Sequence, residues 1–522
     1  MQNNQPAHPV SLRLLCLLCA VYLLAGLLDH SLWRYEDAVH LGVAWDMAER
    51  NHWLMPQIAG IDWHAAPLWY WLAAILGKVF GPLFGFHNAA RLATALFGAI
   101  TLFALGHASG RILASQRIMA ANRFDAAAPL LLIGAPGLLL PMHDAQPMIA
   151  VLAGHAIAYW GLAALPQRRT GGFLLALGLI VTTLSGGFNA LLPLVALLLM
   201  PLLFAPWRNI VALQGWLIAA ALAMAVIAAI GQFVTLPGLA PFAPQSSLNH
   251  LELLTWYAWP AMPVALWPLW LFRRQLGQIA LPLVGCIGAL IWFFLFSAPH
   301  NLQALPLLLP LTLLASTGAG RLRRGAANAL DWFGMMTFSL IGILSWLFEA
   351  ALLTGTPPKM YKSVIRLIPG YADTPSLIAW GGAIVISILW LLIIFNTRRS
   401  PWRGTTHWAC GVVLVWCLFA ALWIPVVDYG KSYAPMTHEI AQQMSSDKNA
   451  CLASRKLDLV ERAALDYHAG ILVRRNDEAK ACNWLLIVNE PNKTPVVEDG
   501  WKLVWDGARP SDRSDRYYLY KR

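Results

Sequence analysis

Charge is what this chain has least of. Of its 522 residues only 12% are Asp, Glu, Lys or Arg, against ~25% in an ordinary soluble domain, while 58% are hydrophobic. That excludes a string of three or four soluble domains, the usual reading of such a length. Cysteine is scarce too, at seven; there is no HExxH metal signature, and the one CxxC spacing, Cys16 to Cys19, lies within an apolar run. Walker A and Rossmann glycine loops are equally missing, which removes the common nucleotide-binding devices. A formal surplus of +11 is compatible with nucleic-acid binding until it is divided along the chain. Residues 427–522 hold 15 basic and 14 acidic side chains, leaving 22 against 12 for the rest. That remaining surplus lies in short loops between apolar runs, as orientation signals do. No basic domain is left for DNA or RNA.

What the chain does have is apolar runs of bilayer length, recurring almost from end to end. A spanning helix needs ~20 such residues. About thirteen runs qualify, near 11–30, 89–109, 125–142, 146–165, 171–187, 188–206, 210–234, 253–272, 278–297, 303–319, 329–352, 375–396 and 407–427. Basic residues at Arg111/Arg117/Arg123, Arg168/Arg169, Arg208, Arg273/Arg274, Arg321/Arg323/Arg324 and Arg398/Arg399/Arg403 fall in every second loop. Those loops are therefore read as cytoplasmic, with the N-terminus inside and the C-terminus outside. The apolar stretch Pro67 to Phe84 would break the alternation if it spanned, so it is read as a helix at the outer interface. Lys359, Lys362 and Arg366 land outside against the pattern, in a solvated loop or facing an anionic headgroup.

Two long pieces then face outward, a first loop over about 31–88 and a tail from 428. The expected fold class is an all-α polytopic membrane domain over 1–427, with a small α/β domain over 428–522. In the tail the pattern predicts a helix near 434–446 and strands near 470–474, 484–488 and 516–520. Cys451 and Cys482 are its only cysteines. On the oxidising side of a membrane they are expected to pair, with two buried thiols as the alternative.

Ionisable residues in an outer loop beside the spans are the first place to look for chemistry. The loop supplies Arg34, Glu36, Asp37, His64 and Tyr70, and the following span supplies Arg91. Glu36 and Asp37 open a helix expected to run to about Arg50, where carboxylates also complement the helix dipole. As chemistry, either could serve as general base toward an acceptor hydroxyl or amine. Asp144, Ser185-Gly186-Gly187 and His300 sit in outer turns and could line the same cavity. No cofactor is expected. A divalent metal shared by His64, His143 and His300 is the lesser alternative, since scattered histidines are more often polar surface residues.

The order of these features resembles the bacterial GT-C glycosyltransferases of the protein O-mannosyltransferase and lipid A aminoarabinose transferase type. The corresponding pieces are Glu36-Asp37, Asn51-His52-Trp53-Leu54-Met55-Pro56 and Ala65-Ala66-Pro67-Leu68-Trp69-Tyr70-Trp71, followed by Arg91-Leu92, the Asp144 turn and the Pro306/Pro310 helix. The resemblance implies a bacterial inner-membrane enzyme with a periplasmic C-terminal domain. It further implies transfer of a sugar, with inversion, from a polyprenyl-phosphate donor to a lipid A, glycan or protein acceptor. Glu36 would be the base, with Asp37 as the close alternative. Arg91 and His64 would hold the phosphate, helped by Arg34, while Asp144, Tyr70 and His300 line the cavity. The chain departs from the pattern where the family has lysines, at Ala65 and in Leu184-Ser185-Gly186-Gly187. Those departures favour a second possibility, a non-catalytic lipid- or glycan-binding relative. A secondary transporter is a third, poorly served by charges that sit mostly at span edges.

Overall fold

The computed structural model describes residues 10–522 apart from 29, 34, 117–123, 209, 232–235, 240, 243–246, 298–299, 373–375, 446, 448–449, 492 and 494. Arg34 therefore lies outside the described residues. Among them, eight helices are long and apolar enough to cross a membrane, and five shorter apolar helices of 10–17 residues accompany them. The chain is a multi-pass integral membrane protein.

Helices occupy every expected run, but three of the runs are broken. Residues 125–142 form two pieces, Ala127–Ile133 and Pro136–Leu139. Ala135 is extended because the ring of Pro136 disfavours the helical region for the residue before it. The run 253–272 divides at Pro260 into Ser247–Tyr257 and Ala261–Leu271, since proline has no N–H to continue a ladder. Residues 188–203 alternate between 3-10 and α turns around Pro193 and Pro201. Just before them Gly187 takes a left-handed φ of +69°, and a Cβ there would lie 2.4 Å from the Pro237 carbonyl oxygen. Only glycine fits that turn.

The elements that surround Asp37 come early. Helix α1 is Leu12–Leu24, α2 is Tyr35–Arg50, α3 is Leu68–Phe84 and α4 is Phe86–Ser115. A two-residue hairpin, β1 (Gln57–Ile58) with β2 (Ile61–Asp62), lies between α2 and α3. Helix α3 starts after Pro67, as expected, and is 17 residues long. Lys359, Lys362 and Arg366 belong to a short helix, Pro358–Leu367, rather than a loop. Its Val364 packs with Leu352, Ile368 and Val426.

The C-terminal part carries a four-stranded sheet in the order β3-β4-β6-β5, with β3 Leu452–Arg455, β4 Trp484–Asn489, β5 Lys502–Gly507 and β6 Arg516–Lys521. β3 and β4 run parallel, while β4–β6 and β5–β6 are antiparallel. The strand expected at 470–474 is a correction. Gly470 caps the preceding helix in the left-handed conformation, and only Val473 makes an isolated bridge, to Leu452. The next helix begins at Asn476 and leaves no room for a ladder. Cys451 and Cys482 are joined in a disulfide.

Candidate active site

The site is organised from the first turn of α2, where consecutive residues point 100° apart around the helix. Asp37 turns inward and Glu36 outward. Asp37 is fully buried and its two carboxylate oxygens are occupied. Arg91 Nε donates to Oδ1 at 3.0 Å and Nη2 to Oδ2 at 2.6 Å, while the Ala145 amide donates to Oδ1 at 2.8 Å. Burial pushes this carboxyl up, but the Arg91 charge and these hydrogen bonds outweigh it and hold it at about 2. The remaining Arg91 donors go to the carbonyls of His30, at 2.7 Å, and Ser31, at 3.2 Å, and to Asn88 Oδ1 at 3.4 Å.

This geometry corrects two expectations. Arg91 is wholly buried, with its charge spent on Asp37, so it is not placed to hold a donor phosphate. Asp37, bound on both oxygens, is an anchor joining α2, α4, the segment after α1 and the 143–146 turn, and not an accessible base. Asp144 is buried in that same turn, next to the Ala145 amide that binds Asp37.

Glu36 keeps a third of its side chain exposed and lies 3.4 Å from Nε2 of His40, one turn along α2. His40 in turn places Nδ1 2.8 Å from the Tyr70 hydroxyl, which also receives the Trp63 indole N–H at 3.1 Å. An indole nitrogen can only donate, so the Tyr70 oxygen accepts from Trp63. In the tautomer where Tyr70 donates to His40 Nδ1, Nε2 carries a hydrogen toward Glu36. Neither His40 nor Trp63 was singled out in the sequence. The i,i+4 spacing of Glu36 and His40 on one helix face is the signal that would have found the first.

The other expected members are scattered. His64 is exposed, beside Trp63 at the end of the hairpin. His300 is exposed and caps the helix Asn301–Ala319, its Nδ1 accepting from the Leu302 amide at 3.4 Å. His143 is buried with Nδ1 against the Leu139 carbonyl and Nε2 against that of Tyr22. A metal shared by these three histidines is not supported, because each is committed to a different place. Among the described residues, no group of three His, Cys, Asp or Glu is arranged to hold a metal ion.

The C-terminal unit roofs the site. Its helix Leu459–Ala469 lies on α2, where Arg50 bridges Asp46 at 2.6 Å and Asp466 at 2.9 and 2.5 Å. Gly42 allows the close approach, for a Cβ there would sit 2.7 Å from that of Ala463. Tyr467 bonds His87 Nδ1 at 2.7 Å, and Ser31 Oγ lies 3.2 Å from His468 Nε2.

The fold has counterparts among solved structures. ArnT from Cupriavidus metallidurans in the apo state superposes with a TM-score of 0.67, at 15% identity over 97% of each chain. The same enzyme bound to undecaprenyl phosphate gives 0.65, again at 15% identity over 97% of each chain. The fold is that of ArnT. Its extent over nearly the whole chain confirms the expected resemblance in fold, with the C-terminal sheet included. The archaeal oligosaccharyltransferase AglB from Archaeoglobus fulgidus, in complex with an inhibitory peptide and a dolichol-phosphate, matches at 0.44 and 10% identity, over 91% of this chain and 69% of its own. No protein-family model matches the chain, and no curated protein does. The ArnT-like fold thus rests on three-dimensional structure.

Proposed function

We propose that this protein is a membrane glycosyltransferase that takes its sugar from a polyprenyl-phosphate donor. The observation that carries the reading is the state of Glu36: one carboxylate left accessible at the head of α2, beside a neighbour that is sealed and neutralised. The ArnT fold supports it, since ArnT binds undecaprenyl phosphate. Fold alone does not assign chemistry, which is why the accessible carboxylate matters.

In this reading Glu36 accepts the proton of an acceptor hydroxyl or amine as that atom attacks the anomeric carbon. The bond from that carbon to the phosphate oxygen breaks on the opposite face, and polyprenyl phosphate leaves with the electron pair. The configuration inverts. Lipid A, another glycan or a protein serves as acceptor, on the periplasmic face of a bacterial inner membrane, with the N-terminus in the cytoplasm. His64 and Tyr70 remain candidates for the substrate's surroundings. In a membrane transfer assay Glu36→Gln is expected to lower the rate ~10²–10⁴-fold, the usual contribution of a general base. Wild-type transfer by that variant would remove Glu36 from the mechanism.

A second reading has its own support. Arg91 is neutralised by Asp37, and Ala65 stands where a lysine would face phosphate. A lipid- or glycan-binding protein without turnover fits those facts. It is decided for if the purified protein binds a polyprenyl-phosphate sugar and leaves it intact with every acceptor class supplied.

A further inference from the structure

At the end of α1 remote from Glu36, a groove of about 350 Å³ runs between α1 and the helices Leu377–Asn396 and Arg403–Leu418. Its three walls are the same length. Along the first it reaches from Val10 to Val21, along the second from Ile386 to Thr397, and along the third from Arg403 to Leu414. Eleven residue steps at 1.5 Å make each wall ~16 Å long, close to half of a ~30 Å hydrocarbon core. The groove is one leaflet deep. Leu14, Leu17 and Leu389 on its walls are 57%, 60% and 44% exposed, so it opens sideways to the surrounding lipid.

The lining is apolar along most of this length, and its charge is at one end. Arg403 sits there with Ser400 and Thr397. Its Nη1 lies 3.4 Å from Asp331, and its Nη2 donates to the Ile394 carbonyl at 3.2 Å. Its Nε is buried and has no partner among the described residues. Asp331 is shared further with His407, whose Nδ1 is 2.6 Å away. Arg398 and Arg399, both exposed, adjoin the same rim in the chain. One guanidinium thus meets one carboxylate at the mouth of an acyl-sized slot, and two further exposed arginines lie between Thr397 and Ser400 of its lining. A buried N–H in a low-dielectric setting calls for an acceptor, and a lipid phosphate on top of the groove would supply one.

We infer that this groove binds an anionic phospholipid of that leaflet, with an acyl chain between the three helices and its phosphate at Arg403. The excess of positive charge selects an anionic headgroup over a zwitterionic one. The site is separate from the Glu36 region and does not depend on the proposed transfer reaction.

The test uses the purified full-length protein titrated with phosphatidylglycerol or phosphatidylcholine, read by native mass spectrometry and thermal unfolding. Phosphatidylglycerol is expected to bind about tenfold or more tightly, as two unbalanced arginines near a surface imply. Arg403→Gln should abolish the preference and Arg403→Lys should keep part of it. Because Arg403→Gln leaves Asp331 to His407 alone, Leu389→Trp provides an independent arm that fills the groove and should weaken both lipids. Equal binding of the two lipids would overturn the inference, as would a preference that survives both Arg403→Gln and Leu389→Trp. Displacement of phosphatidylglycerol by equimolar undecaprenyl phosphate, or closure of the groove by a second copy seen in cross-linking, would overturn it too.

Discussion

Arg91 meets Asp37 through two nitrogens, at 3.0 and 2.6 Å, and neither side chain has any exposed surface. One residue earlier, Glu36 reaches solvent. Two adjacent carboxylates on one helix have therefore been given opposite environments by a single 100° step. Asp37 holds the elements around it together, while Glu36 keeps a third of its side chain exposed.

If the pair is structural, breaking it is costly. Arg91→Met should lower stability by ~3–5 kcal/mol, because Asp37 is left buried and uncompensated. Thermal unfolding in detergent measures this. Asp37→Leu combined with Arg91→Met should recover part of the loss, since no charge is then stranded. An unchanged melting temperature for Arg91→Met would refute the anchor.

Acid should loosen the outer region in two stages. Burial, followed by the neighbouring His438, lowers His468 from 6.5 to about 4. The unfolded chain takes up that proton first, so the contribution from a neutral His468 is lost as pH falls from 6.5 toward 4. Asp37 behaves differently. Its folded value of about 2 lies below the ordinary 3.8, so its contribution is complete above 3.8 and is lost only as pH falls toward 2. Hydrogen exchange should show the helix Leu459–Ala469 opening before the first turn of α2. In His468→Gln the earlier stage should flatten; simultaneous opening of both regions would contradict the order.

The sequence reading succeeded where the signal was local. Apolar runs marked the helical segments, and Glu36-Asp37 and Pro67 marked the starts of α2 and α3. It failed where meaning depends on residues far apart in the chain. Arg91 looked like a phosphate ligand because a cation near carboxylates reads so. Its partner lies 54 residues away, and nothing local shows that the two neutralise each other. The salt bridge of Arg50 with Asp466 spans 416 residues and left no pattern at all. His143 looked available because a turn between spans is normally wet, yet here both ring nitrogens face backbone carbonyls.

That long-range bridge carries a further prediction. Arg50→Met removes the cation between Asp46 and Asp466, both of which are buried. Gly42→Leu drives a side chain into Ala463. Each variant should undock the C-terminal helix while leaving the spans folded. Limited proteolysis should then cut within 428–470 faster than in the wild type, with the helical circular dichroism largely kept. Protection equal to wild type in both variants would mean the two units are held by something else.

The Tyr70 hydroxyl offers a way to separate packing from chemistry. Tyr70→Phe keeps the ring but removes the hydroxyl 2.8 Å from His40 Nδ1, and with it the contact that holds His40 beside Glu36. Stability should change by only ~0.5–1.5 kcal/mol, the usual worth of one hydrogen bond. Transfer should fall further than that small destabilisation accounts for. The fall should be mostly in kcat, because the hydroxyl is engaged by His40 and Trp63. If instead KM rises and kcat stays unchanged, Tyr70 contacts the substrate directly and the His40 link to Glu36 is not used. If Glu36→Gln is already inactive, adding Tyr70→Phe should cost nothing more in rate. A further loss in the double variant would show the two residues acting independently.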